Sequence, residues 1–510
     1  MNKQIRQLAL GLMLCYVVLF GTLNFWQVGQ EEELNANIEN TRAVRREFER
    51  PRGQIVSADG VVVAASQEVP TMTGADDITV ERRRTYPRGD LFAHATGYFT
   101  LNFGSTQVER EYSDVLTGQT TEQQVRALGG LLSGDVDQSG TVQLTLRDDL
   151  QEVAQFLLGD RTGSVVVTEV QTGAVRAMYS NPTFDPNSFI NLPFEEAQDE
   201  IVALQNAPGN PLLSGAYQER FMPGSTFKVI TTGIGLEDGR LDLTTEFERQ
   251  SEWVPPQTTD PIQNYRGSVC GGDLAEVFER SCNIPFAQTA IELGPDVMVA
   301  GVEDWGLYED LPIDIPRPTQ STFGSTENLD QQLPLLGIRG FGQNDDQMVP
   351  LHMALVAGAV ANSGQMMQPY VVDSTYDNDG RLLDRTDPEV WRRPISPLNA
   401  AILTDLMTGV AEGERGTARS VELAEGVRFA AKTGTAELGI IGDPDRVHAW
   451  MVAFAPLEAP EYAISVVITD LTSTQADAAT GGRVAGPVVR GMLDYLLTGN
   501  GANVVLGPPR

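Results

Sequence analysis

A serine and a lysine three residues apart carry the chemistry that this chain suggests first. In Phe221-Met222-Pro223-Gly224-Ser225-Thr226-Phe227-Lys228-Val229-Ile230 a Pro-Gly turn runs into a helix-like stretch, so Ser225 and Lys228 share one face of its first turn. A hydroxyl becomes a nucleophile near neutral pH only when a base takes its proton, and a lysine serves if its surroundings keep it neutral part of the time. Ser-x-x-Lys alone is a common solvated helix start, and composition is what raises it above that. The chain of 510 residues has 36 Lys+Arg against 69 Asp+Glu, a formal net charge of -33, and its only lysines are Lys3, Lys228 and Lys432. A chain that uses arginine wherever any cation serves keeps lysine where a compact amine with a movable pKa is needed. Lys228 and Lys432 are singled out together.

Two more motifs occur once each, Ser281-Cys282-Asn283 and Lys432-Thr433-Gly434. The Ser281 hydroxyl both donates and accepts, which suits a proton relay between Lys228 and a leaving amine. Asn283 offers one acceptor and two donors to a substrate amide, although an isolated Ser-x-Asn is ordinarily a helix cap or Asx-turn. Lys432 ends an apolar strand-like run and supplies the second cation that would hold Lys228 neutral. Gly434 removes a side chain that would block a substrate lying along that strand's edge. His94, His352 and His448 show no metal-ligand spacing and read as structural, so no metal or cofactor is expected. Trp450 reads as core, and Glu109, Arg110 and Glu111 as a solvated face.

The elements that must hold these residues begin with a hairpin pattern, Ser164–Val170 and Ala174–Met178 around Gln171-Thr172-Gly173. Three further strands are expected at 427–436, 449–455 and 462–469, the middle one half-buried because Trp450, Val452 and Phe454 alternate with smaller or polar neighbours. A mainly helical section, including Pro350–Asn362, lies between the two strand groups. The architecture that follows is α+β: an antiparallel sheet made from both ends of the domain, flanked by helices, with a helical subdomain inserted. Ahead of it, the apolar run Leu8–Trp26 has the length of a membrane span, with Lys3 and Arg6 before it and Glu31, Glu32 and Glu33 after it. That charge order keeps the N-terminus in the cytoplasm and the rest outside. With 41% hydrophobic and 21% charged residues the remainder is globular, and its acidity argues against nucleic-acid binding.

With the three motifs in this order the chain resembles the penicillin-binding proteins, whose signature has Ser-Asp-Asn where this chain has Ser-Cys-Asn. The apolar run, Arg52-Gly53-Gln54-Ile55 and the extended Lys432-Thr433-Gly434-Thr435-Ala436-Glu437 resemble the class B, transpeptidase-only branch, in its short-pedestal actinobacterial form. The resemblance runs from the anchor to about Leu497, and the expected division is residues 1–7 as a cytoplasmic tail, 8–28 as a transmembrane anchor, 29–160 as a β-rich pedestal, 161–497 as the transpeptidase domain and the Gly- and Pro-containing 498–510 as a flexible tail. The resemblance implies Ser225 as the acylated nucleophile, Lys228 as its base, and Ser281, Asn283 and Lys432 as the remaining catalytic groups. Thr433, Gly434 and Thr435 would bind substrate, with the Ser225 and Thr435 N–H groups as the oxyanion hole. The implied ligands are peptidoglycan stem peptides and β-lactam antibiotics, and the implied partner is a membrane-embedded glycan polymerase of the SEDS type. Hydrolysis of stem peptides or of β-lactams is the enzymatic alternative, and a scaffold for the polymerase is the non-catalytic one. Cys270 and Cys282 lie where a disulfide can persist, and a bridge and two free buried thiols are both open.

Overall fold

The computed structural model describes residues 2–24, 51–72, 78–101, 103–130, 138–440, 443–472 and 480–499. Helix α1 (Asn2–Asn24) takes up most of the apolar run, and its side chains from Ala9 to Thr22 are exposed. Among the described residues no helix is long and apolar enough to cross a membrane. The expected anchor at 8–28 and the expected tail at 498–510 both reach beyond the described residues, as does the start of the expected pedestal.

The pedestal is mixed rather than mainly β. Strand β1 (Ile55–Val56) pairs with β2 (Val62–Met72), β2 pairs with β3 (Ile78–Thr85), and β1 also pairs in parallel with β4 (Thr141–Leu144). Two strands from far along the chain, Val372–Tyr376 and Leu382–Arg385, complete this six-stranded sheet. Helices Gly89–Thr96, Gln107–Glu111 and Thr121–Gly130 accompany it. Glu109 is the correction here: it is fully buried rather than solvated. Its carboxylate takes Arg52 Nε at 2.6 Å and Arg84 Nε at 2.7 Å, and accepts from the Tyr86 hydroxyl at 3.0 Å. Burial alone would raise the Glu109 pKa, but Arg84 and Arg52 more than offset that and hold it below the usual value. A buried carboxylate is tolerated only with such partners. The triad ties the segment just ahead of β1, β3 and the Gln107–Glu111 helix into one unit.

The second sheet is built from both ends of the region that follows. It contains β5 (Gly163–Glu169), β6 (Val175–Asn181), β7 (Ala430–Ile440), β8 (Asp443–Ala455) and β9 (Tyr462–Thr472), in the order β7-β8-β9-β5-β6 with all neighbours antiparallel. Around it stand α2 (Asp148–Leu158), α3 (Lys228–Asp238), α4 (Ile284–Asp304), α5 (Pro350–Ala361) and α6 (Gly486–Thr498). Helix α5 is buried at every position from Pro350 to Val360, as an apolar helix without a polar face must be. It packs on β5, β8 and β9, while α2 and α6 pack on each other and on the same sheet. Residues 449–455 of β8 are all fully buried, so this strand is covered on both faces rather than half-buried. The small residues between Trp450, Val452 and Phe454 mark a second packed face, not a wet one. Among the described strands β7 ends this sheet, and the three motifs meet beside it.

Candidate active site

Gly224, with φ +53°, turns the chain into a 3-10 segment, Gly224–Phe227, that leads directly into α3. Side chains at i and i+3 eclipse in a 3-10 turn, which puts Ser225 and Lys228 on one side. Ser225 is half-buried and Lys228 is fully buried. The Lys228 Nζ donates to Ser281 O at 2.8 Å and Asn283 Oδ1 at 2.9 Å, with Ser281 Oγ at 3.4 Å. Three acceptors around three ammonium protons are what allow a lysine to lie in a protein interior at all. Phe286 and Phe341 lie 5.2 and 5.9 Å from the same nitrogen. Burial, and then the charge of Lys432, push the Lys228 pKa well below the usual lysine value.

Lys432 is also fully buried and donates to Ser281 Oγ at 2.7 Å and to its neighbour's carbonyl, Thr433 O, at 3.0 Å. Burial brings its pKa down to about 7. The Ser281 hydroxyl therefore sits between the two amines. Its oxygen accepts from Lys432 and, at longer range, from Lys228, and its own proton stays available to a third group.

Ser281 adopts φ +58°, an uncommon conformation for a residue with a Cβ, in the short link between helix Leu274–Glu279 and α4. Asp273 caps the first of these helices, accepting from Glu276 N at 2.7 Å. Cys270 and Cys282 form a disulfide with Cα atoms 5.8 Å apart, tying the link to strand Cys270–Asp273. The buried Asn264 holds it from the other side: its Oδ1 accepts from Asn283 N at 2.8 Å and Ile284 N at 3.1 Å. The Asn283 side chain is more committed than its donor and acceptor count suggests. Its acceptor takes Lys228, and one donor goes to Gln263 O at 3.2 Å, leaving one N–H for a ligand.

In the third motif the reason for Gly434 differs from the expected one. A Cβ there would lie 2.7 Å from Pro223 O and 2.9 Å from Thr226 Cγ2, because the nucleophile turn packs against the face of β7. Strand side chains leave a sheet by its faces, so glycine opens a face for the turn and not the edge for a substrate. A Cβ on Gly224 would likewise lie 2.5 Å from Thr435 O, which brings the residue before Ser225 against Thr435. The Thr433 hydroxyl bonds to the Thr417 hydroxyl at 2.6 Å. The Trp450 indole donates to Met222 O at 2.9 Å, anchoring the segment ahead of Ser225 to β8. Nothing in the sequence marks Asn264, Thr417 or this use of Trp450, since each acts across a long separation.

The three histidines have partners in the fold. His94 bonds Pro211 O at 2.8 Å, His352 bonds Ser321 Oγ and Trp305 O, both at 2.9 Å, and His448 accepts from Asp470 N at 3.3 Å. Burial lowers each to about 4.

Comparison with known proteins agrees with this geometry. The penicillin binding protein transpeptidase domain matches residues 163–494, and the penicillin binding protein A dimerisation domain matches 52–142. The chain is 34% identical over 499 residues to the peptidoglycan D,D-transpeptidase PbpA of Mycolicibacterium smegmatis, covering 96% of this chain and 98% of that one. It is 33% identical over 514 residues to the protein of the same name in Mycobacterium tuberculosis, covering 98% and 100%. The penicillin G acyl-enzyme complex of penicillin-binding protein A from M. tuberculosis superposes with a TM-score of 0.76 at 33% identity, covering 88% of this chain and all of that one. The chain belongs to the penicillin-binding protein transpeptidases, as a class B member of the short actinobacterial type.

Proposed function

We propose that this protein is a serine-type peptidoglycan D,D-transpeptidase, and that the observation carrying the assignment is a fully buried Lys228 held against Ser281 and Asn283, with Lys432 sharing the same serine. Lys228, kept neutral part of the time by burial and by Lys432, takes the Ser225 proton as Oγ bonds to the penultimate D-Ala carbonyl carbon. The negative charge that develops on the carbonyl oxygen is met by the Ser225 and Thr435 N–H groups. As the tetrahedral species collapses, the bond to the terminal D-Ala nitrogen breaks, and Ser281 passes a proton to that amine from the Lys228 side. An amine on a neighbouring stem peptide then attacks the acyl-serine, and the cross-link forms as Ser225 regains its proton. Lys432, with the Thr433 and Thr435 hydroxyls, holds the substrate carboxylate. The Thr417 hydroxyl, 2.6 Å from the Thr433 hydroxyl, holds that side chain in place beside the carboxylate.

A β-lactam carbonyl enters the same path and stays on Ser225 because its leaving nitrogen remains tethered. Full-length protein treated with a labelled penicillin takes one label on the peptide containing Ser225, and Ser225→Ala takes none. Label on the alanine variant refutes the assignment. Rapid turnover of a chromogenic β-lactam without a lasting adduct would instead make the protein a hydrolase.

Residues 8–28 act, on this reading, as a single membrane anchor with the N-terminus cytoplasmic, supported by the length of the apolar run and the flanking charges. Residues 29–160 then form the pedestal and 161–497 the catalytic domain, outside the membrane. A membrane-embedded glycan polymerase of the SEDS type is the partner that would make the strands being cross-linked.

A further inference from the structure

β7 ends its sheet among the described strands, so alternate residues present N–H and C=O groups to an edge that no described strand covers. Gln343, which comes from the segment after helix Leu333–Arg339, occupies part of that edge. Its Nε2 donates to Thr435 O at 3.3 Å and its Oε1 accepts from Glu437 N at 3.3 Å. Residues two apart on a strand face the same side, so one side-chain amide makes the pair of bonds that a partner strand would make there. The same segment is locked to the nucleophile turn. Gly342 O accepts from Gly224 N at 2.8 Å, and Gly340 O accepts from Thr231 Oγ1 at 2.8 Å. Gly342 sits at φ +83°, and a Cβ there would collide with Gly224 O. Gln343 is 6% exposed, so its amide is held rather than free to rotate into solvent.

We propose that Gln343 is a positioning residue that sets the gap between the Ser225 and Thr435 N–H groups and ends the substrate-binding edge of β7 at Thr435. This role rests on the transpeptidase assignment above. Its backbone neighbour grips the residue before Ser225, and its side chain grips the carbonyl of Thr435, so the two oxyanion donors are joined through one rigid turn. A substrate lying along the edge pairs with Thr433 and Thr435 and cannot continue to Glu437, whose N–H is already taken. Chain beyond that point is turned away from the sheet.

Two variants test this in full-length protein, read as the limiting rate of acylation by a labelled penicillin and, separately, its binding constant. Gln343→Leu keeps the volume and loses both bonds. The limiting rate falls by about 10- to 100-fold, the scale set by misplacing a reacting geometry by about an ångström, while binding changes by less than about 3-fold. Gln343→Glu places a carboxylate against Thr435 O when ionised, but restores both bonds when protonated. The charged groups on the elements meeting here are Lys228, Glu237 and Asp238 on α3, Lys432 and Glu437 on β7, Arg339 at the end of the preceding helix, and Asp345 and Asp346 on the segment after it. All are common to variant and wild type, so the ratio of their rates isolates the new carboxyl. That ratio rises by about 10-fold or more between about pH 8 and about pH 5, a recovery that simple loss of folding cannot produce. A wild-type limiting rate in Gln343→Leu, or a flat ratio for Gln343→Glu, overturns the positioning role while leaving the transpeptidase assignment intact. If the wild type takes no penicillin, the assignment falls and this role with it.

Discussion

Lys432→Met removes an ammonium while keeping most of its volume, and so asks whether that charge helps keep Lys228 unprotonated. Both amines touch Ser281 Oγ, Lys432 at 2.7 Å and Lys228 at 3.4 Å, which confines the two nitrogens to within about 6 Å of each other. At an effective dielectric constant of about 20, two unit charges at that distance repel by about 3 kcal/mol, equivalent to about two pH units. Lys432 itself titrates at about 7, so the repulsion is complete only below that pH and fades above it. Loss of a neighbouring positive charge favours protonated Lys228, so its amine titrates higher. The rising limb of the acylation profile therefore moves to higher pH, by about one to two units, and the limiting rate at pH 7 drops by about 10- to 100-fold. The rate recovers on the alkaline side. Lys432 also meets the substrate carboxylate, so affinity weakens too, and the assay must separate limiting rate from binding by titrating a fluorescent penicillin at each pH. A limb that stays at the wild-type pH, or moves to lower pH, would refute the electrostatic coupling.

Two further outcomes follow from the packing. Glu109→Gln leaves Arg52 and Arg84 buried without their counter-charge, which costs about 3–5 kcal/mol and should appear in a denaturant titration as an earlier transition of the pedestal. Because Glu109 titrates below an ordinary carboxylate, its contribution in the wild type is present above about pH 4.5 and is lost as pH falls through its folded value; an acid-stability curve identical in variant and wild type would contradict this. Gly434→Ala drives a methyl group to 2.7 Å from Pro223 O, so the nucleophile turn must separate from β7, and acylation slows by about 10²-fold with a smaller change in melting temperature. Unchanged acylation by that variant would show that the turn can shift without disturbing the donors.

The parts of the site legible in the sequence were the ones whose meaning is local. Ser225 and Lys228 are three apart, Ser281 and Asn283 two apart, and lysine scarcity linked Lys228 to Lys432 across 204 positions without any geometry. The strand groups at both ends of the second domain and the apolar helix Pro350–Ala361 were legible for the same reason, since hydrophobic period is a property of neighbours. Glu109 was misread because a charged triplet looks the same whether water or two arginines surround it. β8 was misread because small residues between large ones fit a second packed face as well as a wet one. Thr417, Asn264 and Gln343 carried no signal, as each acts on a motif that lies 16 or more positions away.

The sequence by itself determined which groups were available: one serine beside a lysine, a second lysine, a Ser-Cys-Asn link and a strand ending in Lys-Thr-Gly. Only the tertiary structure decided what those groups are chemically. An amine is a base or a cation according to the water and charge around it, and the burial of Lys228 between Ser281, Asn283 and Lys432 comes from elements that the chain brings together over long distances. The disulfide, the edge position of β7 and the grip of Gln343 on Thr435 are decided at the same level, because each depends on which strands and turns end up side by side.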